Sequence, residues 1–275
     1  MSLLTALKKI AKKLMNRRVK CVKIYNSYDE AAKQCKTKRG YENNELCEML
    51  GDKTQDYIKN LNKKPWMLDR MNNFPILAIH NFLMEYSTSD INIIDFGGAC
   101  GARYFEVRRF FPSNIKFKWL VVDTPEMVKS AKNHRLENEE LLFVDNIRII
   151  EYKIDFVYCS GVLQYLEDYR QFLPRLMEFN PKYMLFHRTS FNENNQDLFY
   201  VRPSRLSWNG PQVPLREKYK DKDIFYPEIA IALNNFLNII QTKYTLEWSF
   251  EDVSGVYQLN DEKIIGKGFL FKRAL

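Results

Sequence analysis

The stretch from Ile91 to Phe105, INIIDFGGACGARYF, constrains the fold of this chain more than any other. A β-type run, Ile91 to Ile94, ends in a carboxylate, Asp95. A turn of small residues follows at once (Gly97, Gly98, Ala99, Gly101), and then a run that opens a helix. Strand, acid, glycine turn and helix form the first unit of a nucleotide-binding α/β sheet. The glycines let the backbone approach a ligand and adopt angles closed to other residues. The position of the acid selects among ligands. The dinucleotide register G-x-G-x-x-G, which seats a pyrophosphate on a helix N-terminus, reads here as Gly97-x-Ala99-x-x-Ala102, a poor match. The register D-x-G-x-(G/A)-x-G fits at Asp95, Gly97, Ala99 and Gly101. A carboxylate beside the turn repels a pyrophosphate and suits a cationic ligand.

From Ile91 to its C-terminus the chain resembles the class I S-adenosylmethionine-dependent methyltransferases, whose cofactor carries ammonium and sulfonium charges. Four further segments carry the resemblance. FKWLVVDTPEMVKSAK holds a strand ending in Asp123, and Thr124-Pro125-Glu126 then starts a helix with proline in its first turn. LLFV ends in Asp145-Asn146, and IDFVYCSGVLQYLED gives a strand from Ile154 to Cys159, then Ser160-Gly161 and a helix-like VLQYL. PKYMLFHRTSF ends near His187. The resemblance implies a Rossmann-like α/β sheet of seven strands in the order 3-2-1-4-5-7-6. YTLEWSF and GKGFLFKR then form its antiparallel closing pair. S-adenosylmethionine is the implied cofactor, lined by Asp95, Gly97, Gly98, Ala99, Gly101 and Ser160. Asp123, with Thr124 beside it, takes the ribose hydroxyls in that scheme, and Asp145 or Asn146 meets the adenine amino group. Each acid also has a plainer reading as a helix N-cap, and Asp155, at the start of its strand, reads as structural.

Ahead of this domain (91–275) stand a basic amphipathic segment (1–20) and a stretch read as a helical cap (21–90). In LLTALKKIAKKLMNRR, Leu3, Leu4, Leu7, Ile10, Ala11 and Leu14 share one helical face and lysines the other. The segment is too lysine-broken for a signal peptide and too short to span a bilayer. It suits either peripheral contact with an anionic membrane surface or docking on the protein's own body. NSYDEAAKQC reads as a helix capped by Asn26 or Ser27, GYENNELCEMLGDKTQDYIKNL as one or two more, and MNNFPILAIHNFLMEY as a helix with Ile76, Ile79, Leu83 and Met84 along one face.

Charge and cysteine usage narrow the class. The net charge of +8 suggests nucleic acid, but seven of the 42 basic residues and no acidic residue fall in 1–20, leaving a nearly neutral body. No nucleic-acid track is expected. Cys21, Cys35, Cys47, Cys100 and Cys159 form no C-x-x-C pair, and His80, His134 and His187 lack ligand spacing. That pattern predicts a cytoplasmic enzyme without a metal; the inner membrane face is the surface that 1–20 would meet if it is not docked on the protein's own body.

The acceptor is expected on the far side of the cofactor cleft. IYNSYDEAA…RGYENNELCEML resembles the front end of a poorly characterised bacterial methyltransferase-like family associated with surface-polysaccharide genes. This implies O-methylation of a sugar, on a small molecule or a lipid-linked glycan. His187, at a strand end, is the candidate base, with Tyr165 in the same cleft at a position where many relatives have histidine. The loop-rich segment Asn192–Tyr226 reads as an irregular lid, with Arg202 or Arg205 to hold phosphate and Trp208 to stack on a sugar face, and Arg188 just before it is a further substrate-binding candidate. A helix, EIAIALNNFLNII, is expected to follow. Two alternatives remain: a nicotinamide-dependent Rossmann oxidoreductase or epimerase, and a non-catalytic binding module on the same fold.

Overall fold

The computed structural model describes residues 18–19, 23–35, 40–61, 63, 73–260 and 262–274. Its first elements are β1 (Arg18–Val19), β2 (Ile24–Tyr25), α1 (Tyr28–Gln34), α2 (Asn44–Leu61) and α3 (Asn73–Tyr86). Then come β3 (Asp90–Phe96), α4 (Ala102–Val107), β4 (Lys116–Val122), α5 (Pro125–Asn133), β5 (Leu141–Val144), β6 (Phe156–Ser160) and α6 (Tyr169–Glu178). The last are β7 (Tyr183–Asn192), β8 (Leu198–Arg205), β9 (Asp223–Ala232), α7 (Leu233–Ile240), β10 (Tyr244–Leu259) and β11 (Glu262–Arg273).

The main sheet runs β10-β11-β7-β6-β3-β4-β5, with β1 joined to the outer edge of β10. The five strands from β7 to β5 are parallel, and β11 is antiparallel to both β7 and β10. Numbered along the chain from β3 and leaving out β8 and β9, this order is 3-2-1-4-5-7-6, the class I methyltransferase arrangement. A central parallel strand is covered on both faces, so its apolar residues need not alternate with polar ones. In β3, Ile91 and Ile93 belong to the layer containing α2, α3, α4 and α5, while Ile94 and Phe96 belong to the layer with α6 and α7.

Several local readings hold. Ser27 caps α1, accepting from the Glu30 amide at 3.2 Å, and Thr124 caps α5 with Pro125 in its first turn. Asp155 is structural: its carboxylate accepts from the Asn92 amide at 3.2 Å, and Lys182 and Tyr183 donate to its carbonyl. Cys100 and Cys159 are buried fillers, and the described cysteines are free thiols. The amphipathic segment 1–20 lies outside the described residues, apart from the backbone of β1. Among the described residues no helix is long and apolar enough to cross a membrane.

Other readings need correction. VLQYL is no α-helix; Leu163–Tyr165 is a single 3-10 turn, and α6 starts only after Asp168, which caps it through the Gln171 amide. Met84 is exposed, not on the buried face of α3. The helix read from EIAIALNNFLNII begins at Leu233, because residues 228–230 pair with β8 and 231–232 with β7 as strand. The irregular lid is largely a β-hairpin: β8 pairs antiparallel with β9, β2 adds to β8, and β9 joins the end of β7.

The hairpin's tip, residues 206–222, is tied to α2. The Lys53 ammonium, 2 % exposed, donates to the Ser207 carbonyl at 2.9 Å and the Asn209 carbonyl at 2.6 Å. Burial pushes its pKa down to about 8. Next to it, the buried Asp52 carboxylate meets Arg216, Lys218 (2.5 Å), the Tyr219 hydroxyl (2.7 Å) and the His134 ring (3.2 Å). Burial alone would raise the pKa of Asp52, but Lys218, Tyr219, His134 and Arg216 hold it down to about 2.

Asp52 therefore contributes stability above the unfolded-chain pKa, near 3.9, and loses it as pH falls towards 2. Asp52→Ala should cost about 1–3 kcal/mol at pH 7, the scale of lost hydrogen bonds to a charged group. It should also open residues 206–222 to limited proteolysis. Equal urea midpoints for variant and wild type at pH 7 would show that the tip is held by other contacts.

Candidate functional site

The site is assembled at the C-terminal ends of β3, β4 and β6. After Phe96 the chain turns through Gly97 (φ +70°), Ala99 (φ +50°) and Gly101 (φ +71°), all left-handed. A Cβ on Gly97 would sit 2.4 Å from Val162 Cγ2, so both its conformation and its space demand glycine. Gly98 is needed for space alone: a Cβ there would lie 2.6 Å from the Asp95 carboxyl. Ala99 adopts the left-handed angle without being glycine, which strains the turn by about 1–2 kcal/mol.

Two carboxylates brace this turn. Asp95, fully buried, accepts from the Trp119 indole N–H at 3.0 Å. Burial pushes its pKa up to about 7, against the pull of Trp119 and the Arg103 charge. Asp123 spans two elements, accepting from the Ala99 amide on Oδ2 and the Thr124 amide on Oδ1, both at 2.8 Å. Burial raises its pKa to about 6, opposed by those two N–H groups. Neither acid is a helix N-cap. That role falls to Thr124 for α5 and to Asn146, which caps the short turn after β5 through the Arg148 amide. Asp145 beside it is exposed. Asp95, Gly97, Gly98, Ala99, Gly101, Asp123 and Thr124 thus form one contiguous seat. Ser160 ends β6 beside Gly161, and its buried hydroxyl oxygen has no hydrogen-bond partner among the described residues.

Sequence reasoning missed Arg103. It bonds to the buried Glu106 at 3.0 Å and lies close enough to Asp95, Tyr158 and His187 for its charge to act on each. A basic residue two positions after the last turn glycine was the available signal.

The catalytic candidates lie in less open surroundings than the sequence suggested. The His187 imidazole is fully buried, edge-on to Phe74 (5.5 Å) and Phe250 (5.3 Å). Burial, reinforced by Arg103 and Arg188, pushes its pKa down to about 3, so the ring is neutral at physiological pH. Its carbonyl holds the Gly161 amide at 2.8 Å. Tyr165 packs against Tyr41 (5.1 Å) and Tyr226 (5.7 Å), which are themselves stacked at 4.4 Å. Burial drives its hydroxyl pKa well up, which makes it a hydrogen-bond donor and not a base.

The acceptor candidates separate. Arg202 pairs with Glu228, which is fully buried and also accepts from Ser190 Oγ at 2.8 Å. Arg205 pairs with Asp221 at 2.9 Å, and Trp208 is 66 % exposed at the hairpin tip over α2. Arg188 alone of the four sits at the mouth of the seat, over Gly161.

No protein-family model and no curated protein matches the sequence. Solved structures similar to this chain include an S-adenosylmethionine-dependent methyltransferase from Clostridium acetobutylicum, at 15 % identity and a TM-score of 0.47 over 82 % of this chain and 99 % of that one. Magnesium protoporphyrin IX methyltransferase from Synechocystis, with bound S-adenosylhomocysteine, is similar at 10 % identity and a TM-score of 0.43, over 83 % and 98 %. A methyltransferase from Aquifex aeolicus matches at 14 % and 0.40, over 80 % and 98 %.

Two expectations follow from the site's electrostatics. In the native state Asp95 and Asp123 keep protons to higher pH than in the unfolded chain, where aspartate titrates near 3.9. Their contribution to stability therefore falls as pH rises from about 4 to about 7. Asp95→Asn should gain on wild type across that range in urea midpoint, and parallel profiles would refute the assignment. Arg202→Ala removes the guanidinium from a fully buried carboxylate and should cost about 3 kcal/mol or more. Trp208→Ala should stay within about 0.5 kcal/mol. Equal melting losses in the two variants would contradict this contrast.

Proposed function

We propose that this chain is an S-adenosylmethionine-dependent methyltransferase that methylates an oxygen nucleophile, with a sugar hydroxyl on a nucleotide sugar or glycan precursor as the acceptor class. The observation that carries the reading is the pair of carboxylates around a left-handed glycine turn, the buried Asp95 under the turn and the half-buried Asp123 bridging it to α5. A pyrophosphate would meet negative charge on both sides of that turn. A ligand with cationic groups and ribose hydroxyls meets acceptors.

In this reading Asp123 holds the ribose hydroxyls while remaining tied to the Ala99 and Thr124 amides. Asp145 flanks the adenine edge, and Asp95 fixes the turn beside the cationic end. Ser160 supplies a hydroxyl whose partner the protein leaves open. When bound, the cofactor supplies an electrophilic methyl group on a sulfonium. The chain's own work is alignment and exclusion of water: Tyr41, Tyr165 and Tyr226 wall the acceptor side, and the hairpin tied to Asp52 and Lys53 keeps that wall in place. An acceptor hydroxyl loses its proton on methylation. His187 is neutral and so able to take one, but a hydroxyl reaches its ring only if Phe74 or Phe250 turns aside. The sugar class is supported by the front-end resemblance.

Calorimetry with S-adenosylhomocysteine should show binding, and NAD should show none. Asp123→Asn should weaken S-adenosylhomocysteine by about 1.5–3 kcal/mol, roughly tenfold to a hundredfold. Wild-type affinity in the folded variant, or tight NAD binding, would overturn the reading. A protein that binds the cofactor yet methylates no hydroxyl acceptor is the binding module instead.

A further inference from the structure

Arg188 lies in a part of β7 that is irregular for a reason. Phe186 pairs with Phe269 and Thr189 with Lys267 on β11, so His187 and Arg188 together face Gly268 alone. This is a β-bulge, and bulges re-aim side chains. Flanking residues of β7 are buried in both apolar layers, Leu185 in one and Phe186 in the other. In regular register a side chain at 188 would enter one of those layers. The bulge instead puts Arg188 in a left-handed conformation, φ +55°, and leaves it exposed. Such an angle is costly for arginine and marks a conformation imposed by its surroundings.

The surroundings hold it there. Gln164, 5 % exposed, donates from Nε2 to the Arg188 carbonyl at 3.0 Å. The guanidinium lies over Gly161, with Nε and Cζ each 3.8 Å from where a Cβ on that glycine would stand. Gly161 itself has φ +66° and directly follows Ser160 at the end of β6. Arg188 is also near enough to Tyr41, Tyr158 and His187 for its charge to act on all three.

Two groups here await a ligand. Arg103, Arg202 and Arg205 each hold a carboxylate, but among the described residues the Arg188 guanidinium has no ion pair and no hydrogen bond. The buried Oε1 of Gln164 likewise has no donor. A strained cation over Gly161 and an unpartnered buried acceptor on the residue that holds its backbone match a molecule carrying an oxyanion and a hydroxyl.

We propose that Arg188 is the anion receptor of the acceptor site, so that the methylated molecule bears a phosphate or carboxylate close to its reacting hydroxyl. This rests on the methyltransferase reading. It assigns the role to Arg188 in place of Arg202 and Arg205, whose charges are spent on Glu228 and Asp221. Gln164 acts as a positioning residue, fixing the Arg188 backbone and offering Oε1 to the ligand's hydroxyl.

The test titrates pyrophosphate and, separately, citrate into S-adenosylhomocysteine-saturated protein at fixed ionic strength. At least one anion should bind the wild type with a dissociation constant of about 1 mM or tighter. Arg188→Met should weaken that binding about tenfold or more, Arg188→Lys less, and Arg205→Ala by no more than about twofold. Pyrophosphate alone points to a phosphorylated acceptor, and citrate alone to a carboxylated one. Arg188→Gly relieves the left-handed strain and replaces the methionine variant if that fails to fold. Unchanged anion binding in Arg188→Met, or no binding of either anion to the wild type, overturns the proposal. So does a third result: Arg188→Met weakens S-adenosylhomocysteine but not 5′-methylthioadenosine, which lacks the amino-acid end. The guanidinium then holds the cofactor's own carboxylate. If wild type binds neither nucleoside yet still binds pyrophosphate through Arg188, the cofactor reading fails and the anion site stands.

Discussion

Asp95 lies beneath Gly98 with its charge removed from water and only an indole N–H and a neighbouring arginine to answer it. The turn above it inherits its shape from that placement. Position 98 must lack a Cβ to clear the carboxyl, and the left-handed Gly97 must lack one to clear Val162. Ala99 is then carried to the point where its amide meets Asp123. Through the second oxygen of Asp123 the constraint passes to Thr124 and the start of α5. Four elements are thus referenced to one buried acid, and the strand ends can present several groups to a single ligand without adjustable parts.

The side proposed for the acceptor is built differently. Its wall is three tyrosines from separate parts of the chain: Tyr41 ahead of α2, Tyr165 after β6 and Tyr226 on β9. Tyr28 reinforces the wall, its hydroxyl donating to the Tyr165 carbonyl at 2.6 Å. The Tyr226 hydroxyl donates to Asn209 Oδ1 at 3.2 Å, which ties the rings to the hairpin tip.

The cofactor side was legible in the sequence because its information is local. An acid and small residues at a strand end specify their own turn, and the strand order follows once four such ends occur in series. The acceptor side was not, because its determinants are pairings between distant residues. Arg202 and Arg205 look like free cations until Glu228 and Asp221 are placed beside them. Pro203, Gly210, Pro211 and Pro214 read as irregular chain, yet β8 and β9 pair across them because Asp52 and Lys53, far earlier in the sequence, anchor the tip. IAIA followed by LNNFLNII fits a helical period, and only its pairings with β8 and β7 make it a strand. The bulge at Arg188 left no local mark.

Lys53 gives the molecule a built-in clock. Its amine is sealed under two carbonyls of the hairpin tip, out of reach of any reagent in solution. When the tip lifts, the same amine emerges as a nucleophile. In a population, the fraction of molecules acylated at that nitrogen over time then reports the rate at which the tip comes open. Once acylated, the nitrogen is neutral and bulky and cannot return beneath Ser207 and Asn209, so each molecule records its first opening.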